Sequence, residues 1–325
     1  MYKYGIISTA SITKRFIDGL RLANDEVVCI GSRDIEKAKQ FALDNSISKY
    51  YGSYEEVYKD KDVDIVYIPV INNLHYECAK NALLNKKNVV LEKPFTTSVE
   101  EAKELYELAR KNNCFLFEGV KNLFVPSTEF VINNIPNIGK VTNIETKQGL
   151  KKPFPEGHWM YDINKGGGAY IGSASYVFHY LCHLFNGEVS NLDGTYIPST
   201  KSDLVCNFSF NINDIKVKST IDMSKDLDNK CIIYGTNGKI IIDEFWRSHH
   251  VLVETNDGYT NKFKDEGNEF VYEAKHIQDC LNKGLLVSPI IKEEDSIHEV
   301  KNIRYLYKKW GLIWKLNWVL KNQYY

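Results

Sequence analysis

The sequence predicts an α/β protein in two parts: a doubly wound parallel sheet over residues 1–121, then an α+β domain with a mostly antiparallel, open sheet over residues 122–325. Three observations predict it. At 325 residues the chain is about twice the length that one hydrophobic core usually organises. As far as residue 120, short β-rich runs alternate strictly with longer helix-patterned stretches, as parallel strands joined by crossover helices do. After Pro126, β-rich runs instead follow one another with hairpin signals between them.

In the first part the expected strands are 4–8, 27–32, 65–69, 88–91 and 115–118. Helical patterning covers 35–45, 54–59, 76–85 and 99–112, the last introduced by Thr96, Thr97 and Ser98 as candidate caps. The second part opens with one helical stretch, 127–134, and a glycine cluster stands at 166–168. Strands are expected at 203–210, 215–222, 230–235, 239–243 and 251–255, separated by turns such as Thr236-Asn237-Gly238 and Asn256-Asp257-Gly258. Helices return at 269–282 and 296–309.

Composition removes several classes. Hydrophobic residues make up 43% and charged residues 26%, enough apolar material for proper cores and no case for disorder. Lys plus Arg number 41 against 42 Asp plus Glu, a net charge of -1 that lacks the basic footprint of a nucleic-acid binder. The opening MYKYGIIS is no secretory signal, and no apolar run reaches membrane-span length. The 7 cysteines are odd in number, scattered, and never in a Cys-x-x-Cys pair, so a reduced cytoplasmic enzyme is expected, with no structural metal.

The first strand runs into Gly5, then Ser8, Thr9, Ala10, Ser11 and Ile12, where a helix begins. A bound dinucleotide needs small residues here, so that the backbone can approach its pyrophosphate, and a helix N-terminus whose free amides attract the charge. Gly5, Ser8 and Ala10 hold the small positions. The second strand ends in Ser32 and Arg33; a hydroxyl donor and a guanidinium suit the 2′-phosphate of NADP better than the bare ribose of NAD. NADP(H) is therefore the expected cofactor.

Further motifs sharpen the picture. Residues 63–69 read VDIVYIP and are followed by Asn72, Asn73, Leu74 and His75; Leu91-Glu92-Lys93-Pro94 comes next. With SRD at 32–34, SYEEVY at 53–58, IGKV at 138–141 and GGGAY at 166–170, these stretches resemble the glucose-fructose oxidoreductase / inositol dehydrogenase (Gfo/Idh/MocA) family. The resemblance spans nearly the whole chain, and Ser8 with Ser32-Arg33 is most similar to its NADP-dependent dihydrodiol and xylose dehydrogenase branch. It implies an N-terminal Rossmann domain, hydride transfer to or from a sugar-like alcohol or ketone, and a C-terminal sheet that pairs subunits into a homodimer or homotetramer. It also places Pro69, Asn72, His75, Glu92 and Lys93 at the cofactor.

Read from the residues, Lys93 at the carboxyl end of a parallel strand is a cation that can stabilise a developing alkoxide, oriented by Glu92. The family usually has an aspartate after the glycine cluster and a tyrosine or histidine four residues on; here those places hold Gly172 and Tyr176. Tyr176 is thus the expected general acid, activated by Lys93, and the missing carboxylate leaves Ser173 and Ser175 as partial substitutes. Tyr176, His179, Tyr180 and His183 share one helix face; without a third ligand the two histidines are read as core or supporting groups, so no metal is assigned. Glu118 resembles the family's glutamate, but the usual arginine after it is absent, since 121–124 read KNLF. Glu118, Trp159, Tyr161, Asp162, Ser173 and His179 complete the candidate substrate residues.

Between 147 and 165, Lys147, Lys151, Lys152, His158 and Lys165 interleave with Trp159 and Tyr161, a mixture suited to a phosphorylated or nucleotide-linked sugar or to a solvated loop. The aromatic-basic tail, 310–325, is expected to pack back on the protein rather than on a membrane. The function expected is NADP(H)-linked redox exchange at a secondary alcohol or ketone. Two alternatives stand beside it: a catalytically weak ligand-sensing relative, motivated by Gly172, and dinucleotide-dependent cleavage of a glycosidic bond.

Overall fold

In the computed structural model, which describes residues 1–312, the chain forms two sheets joined by shared helices. The first half runs β1 (Lys3–Ile7), α1 (Ser11–Leu22), β2 (Glu26–Gly31), α2 (Ile35–Asp44), β3 (Lys49–Tyr51), α3 (Tyr54–Lys59), β4 (Ile65–Ile68), α4 (His75–Leu84), β5 (Asn88–Glu92), α5 (Val99–Asn112) and β6 (Leu116–Gly119). All six strands are parallel, in the order β3-β2-β1-β4-β5-β6. The order reverses between β1 and β4, where open sheets of this kind bind ligands at their carboxyl edge. Local chemistry sets the boundaries: Asp34, Ser53 and Ser98 accept backbone N–H bonds at the starts of α2, α3 and α5. Of the three expected caps before α5, Ser98 fills the position, and Thr96 donates to its carbonyl.

The second half runs α6 (Pro126–Asn134), β7 (Val141–Gly149), α7 (Ala169–Phe185), β8 (Val189–Pro198), β9 (Asp203–Ile212), β10 (Ile215–Asp222), β11 (Lys230–Gly235), β12 (Gly238–Asp243), β13 (His250–Thr255), β14 (Thr260–Lys264), α8 (Glu269–Asn282) and α9 (Glu293–Lys309). Its eight strands lie in the order β14-β13-β12-β11-β7-β10-β9-β8. Only β7 and β10 pair in parallel. The apolar α7 packs on β9 and β10, burying Tyr170, Phe178 and Leu181 against Phe208 and Phe210.

Several expectations are corrected. Strands β3, β7, β8 and β14 went unread: β3 is three residues long, β7 carries polar side chains at most of its positions, and β8 and β14 are edge strands whose alternation is mostly exposed. Helix α9 starts three residues earlier than expected, because the Asp295 carboxylate reaches back to accept the Lys292 N–H at 2.8 Å. Two helices of the second half return to the first: α8 lies on α1 and α9 on α5. Gly19 makes the first crossing close, as a Cβ there would stand 2.5 Å from that of Phe270. In the aromatic tail, Trp310 packs among Tyr170, Tyr196 and Tyr307 and donates to the Gly194 carbonyl at 2.8 Å; 313–325 lie outside the described residues. Among the described residues all 7 cysteines are free, and no helix is long and apolar enough to cross a membrane.

Candidate active site

The turn after β1 is built to leave a helix end open. Ser8 adopts φ 103°, a conformation costly for any residue with a Cβ, and its N–H is anchored on the Gly31 carbonyl at 2.8 Å. Ala10 then starts α1 with no side-chain cap and no acidic residue in the first turn. Thr9 and Ala10 are half-buried, Ser11 is exposed and Ile12 leans on the core. That N-terminus keeps its partial positive charge available to an anion. Gly5 plays a different part: it lies inside β1, and a Cβ there would meet Val57 at 2.7 Å and Val63 at 2.9 Å, so it serves strand packing. At the end of β2, Ser32 accepts from the Asp34 N–H at 3.2 Å while Arg33 stands exposed beside Tyr54. Asp34 is spent on capping α2, so the position faces a ligand with a cation. These features fit a dinucleotide held by Ser8, Thr9, Ala10 and Ser11 at its pyrophosphate and by Ser32 and Arg33 at its adenosine.

The catalytic candidates sit at the carboxyl ends of β4 and β5. Pro69 follows β4 and is buried. Lys93 follows β5 directly, and its bond to Pro94 is cis. His75 lies beneath this loop, 1% exposed, with Nδ1 2.8 Å from the Pro94 carbonyl and Nε2 3.1 Å from that of Val70. Burial lowers its pKa, and both ring nitrogens face backbone, so His75 braces the lysine loop rather than reaching outward. Asn72 likewise turns to the second domain, donating to the Gly166 carbonyl at 2.7 Å. Glu92 does not orient Lys93; it accepts from the Tyr67 hydroxyl at 2.6 Å.

Lys93 is held from across the interface. Its Nζ donates to the Gly172 carbonyl at 2.8 Å and stands 4.7 Å from the centroid of the Tyr176 ring. The ammonium and the phenol, expected from separate halves of the chain, therefore meet. Where the family's aspartate would stand, a Cβ on Gly172 would lie 2.6 Å from Cε of Met160, so a thioether fills the place of the carboxylate. The glycine cluster lets the segments cross: a Cβ on Gly166 would strike Asn72, one on Gly167 the Trp159 carbonyl, and one on Gly168 the Asp203 carboxylate.

A residue that entered the sequence reading only as a departure completes the site. Lys121, in the turn after β6, donates to the Tyr176 hydroxyl at 2.6 Å and is itself 5% exposed. Burial works against its charge, but Tyr176, Glu92 and Glu269 outweigh burial and raise its pKa, so it stays an ammonium. Because Lys121 occupies a lone pair of the phenol oxygen as donor, the phenol's own proton is directed elsewhere. Nearby Glu273 on α8 is buried, its carboxyl held well above the usual range by burial and by Glu92. Neither Lys121 nor Glu273 was legible as a site residue, because each reaches the site from a different element.

The remaining substrate candidates divide. Ser173 adjoins Gly172 and is half-buried. Trp159 and Tyr161 form a short turn before α7; Tyr161 donates to the Phe154 carbonyl at 3.2 Å, and Asp162 caps the next turn by accepting from the Asn164 N–H at 3.1 Å. Ser175, Glu118 and His179 lie below the surface, 0%, 1% and 5% exposed, and face α9 rather than the crevice. The basic stretch disperses: Lys147 lines a shallow hollow together with Asp226 and Asp228, and Lys151 is 3.9 Å from Glu244.

An uncapped helix end after β1 and a lysine-flanked phenol beside the carboxyl end of β5 in the same parallel sheet are features of the dinucleotide-dependent oxidoreductases. The chain is a member of the Gfo/Idh/MocA family: the profile of the oxidoreductase family with NAD-binding Rossmann fold matches residues 2–120. It is 34% identical over 317 residues to trans-1,2-dihydrobenzene-1,2-diol dehydrogenase of Xenopus laevis, covering 90% of this chain and 93% of that protein. The human protein of that name is 26% identical over 312 residues, covering 90% and 92%. In fold it resembles a 3-ketoreductase from Actinomadura kijaniata solved with NADP and TDP-benzene (TM-score 0.82, 23% identity, 93% and 95% covered). An aldose-aldose oxidoreductase from Caulobacter crescentus is similar in the same sense (0.84, 20%, 95% and 98%).

Proposed function

We propose that this oxidoreductase uses NADP(H) to interconvert a secondary alcohol and its ketone in a cyclic, sugar-like or dihydrodiol molecule. The observation that carries the reading is Tyr176 between two ammonium groups, Lys121 on its hydroxyl at 2.6 Å and Lys93 4.7 Å from its ring centroid, beside the switch point of the parallel sheet. The relatives named as dihydrodiol dehydrogenases and the ketoreductase solved with NADP support the same chemistry. Arg33, exposed at the end of β2 beside an Asp34 committed to capping α2, supports the phosphorylated cofactor.

When bound, the nicotinamide supplies or accepts the hydride. Lys93 stabilises negative charge on the substrate oxygen; it exchanges its contact with the Gly172 carbonyl for that oxygen. Tyr176 gives its proton to the same oxygen in reduction and takes it back in oxidation, while Lys121 holds the phenol oxygen in place. The second domain closes the crevice and excludes water, as α7 brings Gly172 and Tyr176 onto the lysine loop. The outward face of the eight-stranded sheet would join two or four copies. The retained Lys93 and Tyr176 argue against a sensing relative without chemistry.

The test follows NADPH absorbance against a panel of ketones and sugars, and NADP+ against trans-diols. Lys93→Met and Tyr176→Phe are expected to lose about a hundredfold or more in kcat, and Lys121→Met about tenfold or more, with cofactor affinity retained in all three. Full turnover by both Lys93→Met and Tyr176→Phe would overturn the assignment.

A further inference from the structure

Under the Lys93–Tyr176 pair, side chains from three elements turn toward one point. Glu118 lies in β6, His179 on α7 three residues past Tyr176, and Glu299 on α9; they are 1%, 5% and 2% exposed. One donor atom from each lies within 4.8 Å of the others. Serines hold both carboxylates from behind: Ser296 donates to Oε2 of Glu118 at 2.6 Å, and Ser175 donates to Oε1 of Glu299. Oε1 of Glu118 and Oε2 of Glu299 are left shielded from solvent with no hydrogen-bond partner. Nε2 of His179 stands 3.2 Å from Oε2 of Glu118, an ion pair whenever the imidazole is protonated.

Orphaned buried acceptors are rare because each costs its lost hydration, and here three potential donor atoms for a metal share one spot. A divalent cation ligated by one atom of each residue would bring the three side chains onto a common partner. The 3.2 Å between Nε2 and Oε2 is close to the roughly 3.3 Å edge of a tetrahedron with metal–ligand bonds of about 2.0 Å. Two carboxylates balance two positive charges, and serines behind carboxylates are how metal ligands are commonly fixed. A cavity of about 430 Å³, lined by His179, Glu299, His183, Asp295 and His298, reaches the cluster and offers an entry path.

We propose that Glu118, His179 and Glu299 bind a divalent first-row cation of the zinc class, which ties the end of the parallel sheet to α7 and α9. The pattern was invisible in sequence, where His179 and His183 showed no third ligand, because the carboxylates come from positions 118 and 299.

The experiment uses the full, tag-free protein stripped with a chelator. Zn2+ titrated by calorimetry is expected to bind with one equivalent and to raise Tm, and Co2+ to give the intense visible absorption of a four- or five-coordinate site. Glu299→Gln and His179→Gln are expected to weaken Zn2+ binding at least about a hundredfold and to abolish the Tm rise. Should the variants fold poorly, the Co2+ spectrum of the unaltered protein decides. A spectrum like that of the hydrated ion, or no stoichiometric Zn2+ uptake, overturns the site. So does Zn2+ binding that survives both substitutions, or a Glu299→Gln protein that gains stability while the parent binds no metal, which identifies a proton-sharing cluster.

Discussion

At Ser8 the backbone takes φ 103°, a region that glycine enters freely and serine does not. Ser8→Gly is therefore expected to raise stability by about 0.5–1 kcal/mol, a gain lowered by the extra freedom of glycine in the unfolded chain. Urea unfolding checks the sign; a loss would mean that the hydroxyl earns its strained position through contacts of its own. Arg33 tests the cofactor at the same scale. Arg33→Ala is expected to weaken NADP(H) binding at least about tenfold and to leave NAD(H) nearly unchanged, measured by fluorescence quenching. Equal losses for both would remove the preference. Lys93 and Tyr176 were legible as single residues because a motif and a spacing pointed to them, whereas Lys121 was not, because nothing local distinguishes a lysine in a turn from one that reaches a phenol 55 positions away.

At the scale of elements, α8 shows how an amphipathic helix carries a pH dependence into its contact. His276 on α8 stacks on Phe124 with ring centroids 4.4 Å apart, and its Nε2 lies 2.8 Å from the Ser288 hydroxyl. Burial lowers its pKa to about 4. A depressed histidine stays neutral in the folded state while the unfolded chain takes up the proton, so its contribution is complete above the ordinary histidine value of about 6.5 and is lost as pH falls toward about 4. His276→Gln removes the titration and keeps a hydrogen-bonding group. Its Tm relative to the parent should rise progressively between pH 7 and 4.5; a constant difference would show that His276 contributes nothing to acid lability. Helices α2, α5 and α8 were readable from caps and periodicity, while β8 and β14 were not, because edge strands bury too little of one face to alternate cleanly.

The whole molecule is stitched through a few buried polar groups rather than along a single linker. Asp203, which begins β9 and is 0% exposed, accepts from the Tyr170 N–H at 2.7 Å, the Tyr307 hydroxyl at 2.7 Å and Ser202 at 3.1 Å, joining β9, α7 and α9. Tyr307→Phe takes a donor from that carboxylate and an acceptor from the Ile171 N–H, and is expected to cost about 1–3 kcal/mol. Denaturant unfolding measures it, and an unchanged midpoint would show that Asp203 is satisfied without α9. The alternation of strands and helices, the small residues after β1, Arg33 and the Glu-Lys-Pro turn were determined by the sequence alone, because each is a local pattern with a local cause. The parallel β7–β10 pair, the return of α8 and α9 to the first sheet, Lys121 on Tyr176, Met160 beneath Gly172 and the Glu118–His179–Glu299 cluster were decided only by tertiary structure. Their partners are far apart in the chain, and only burial of both sheets against shared helices brings them within bonding distance.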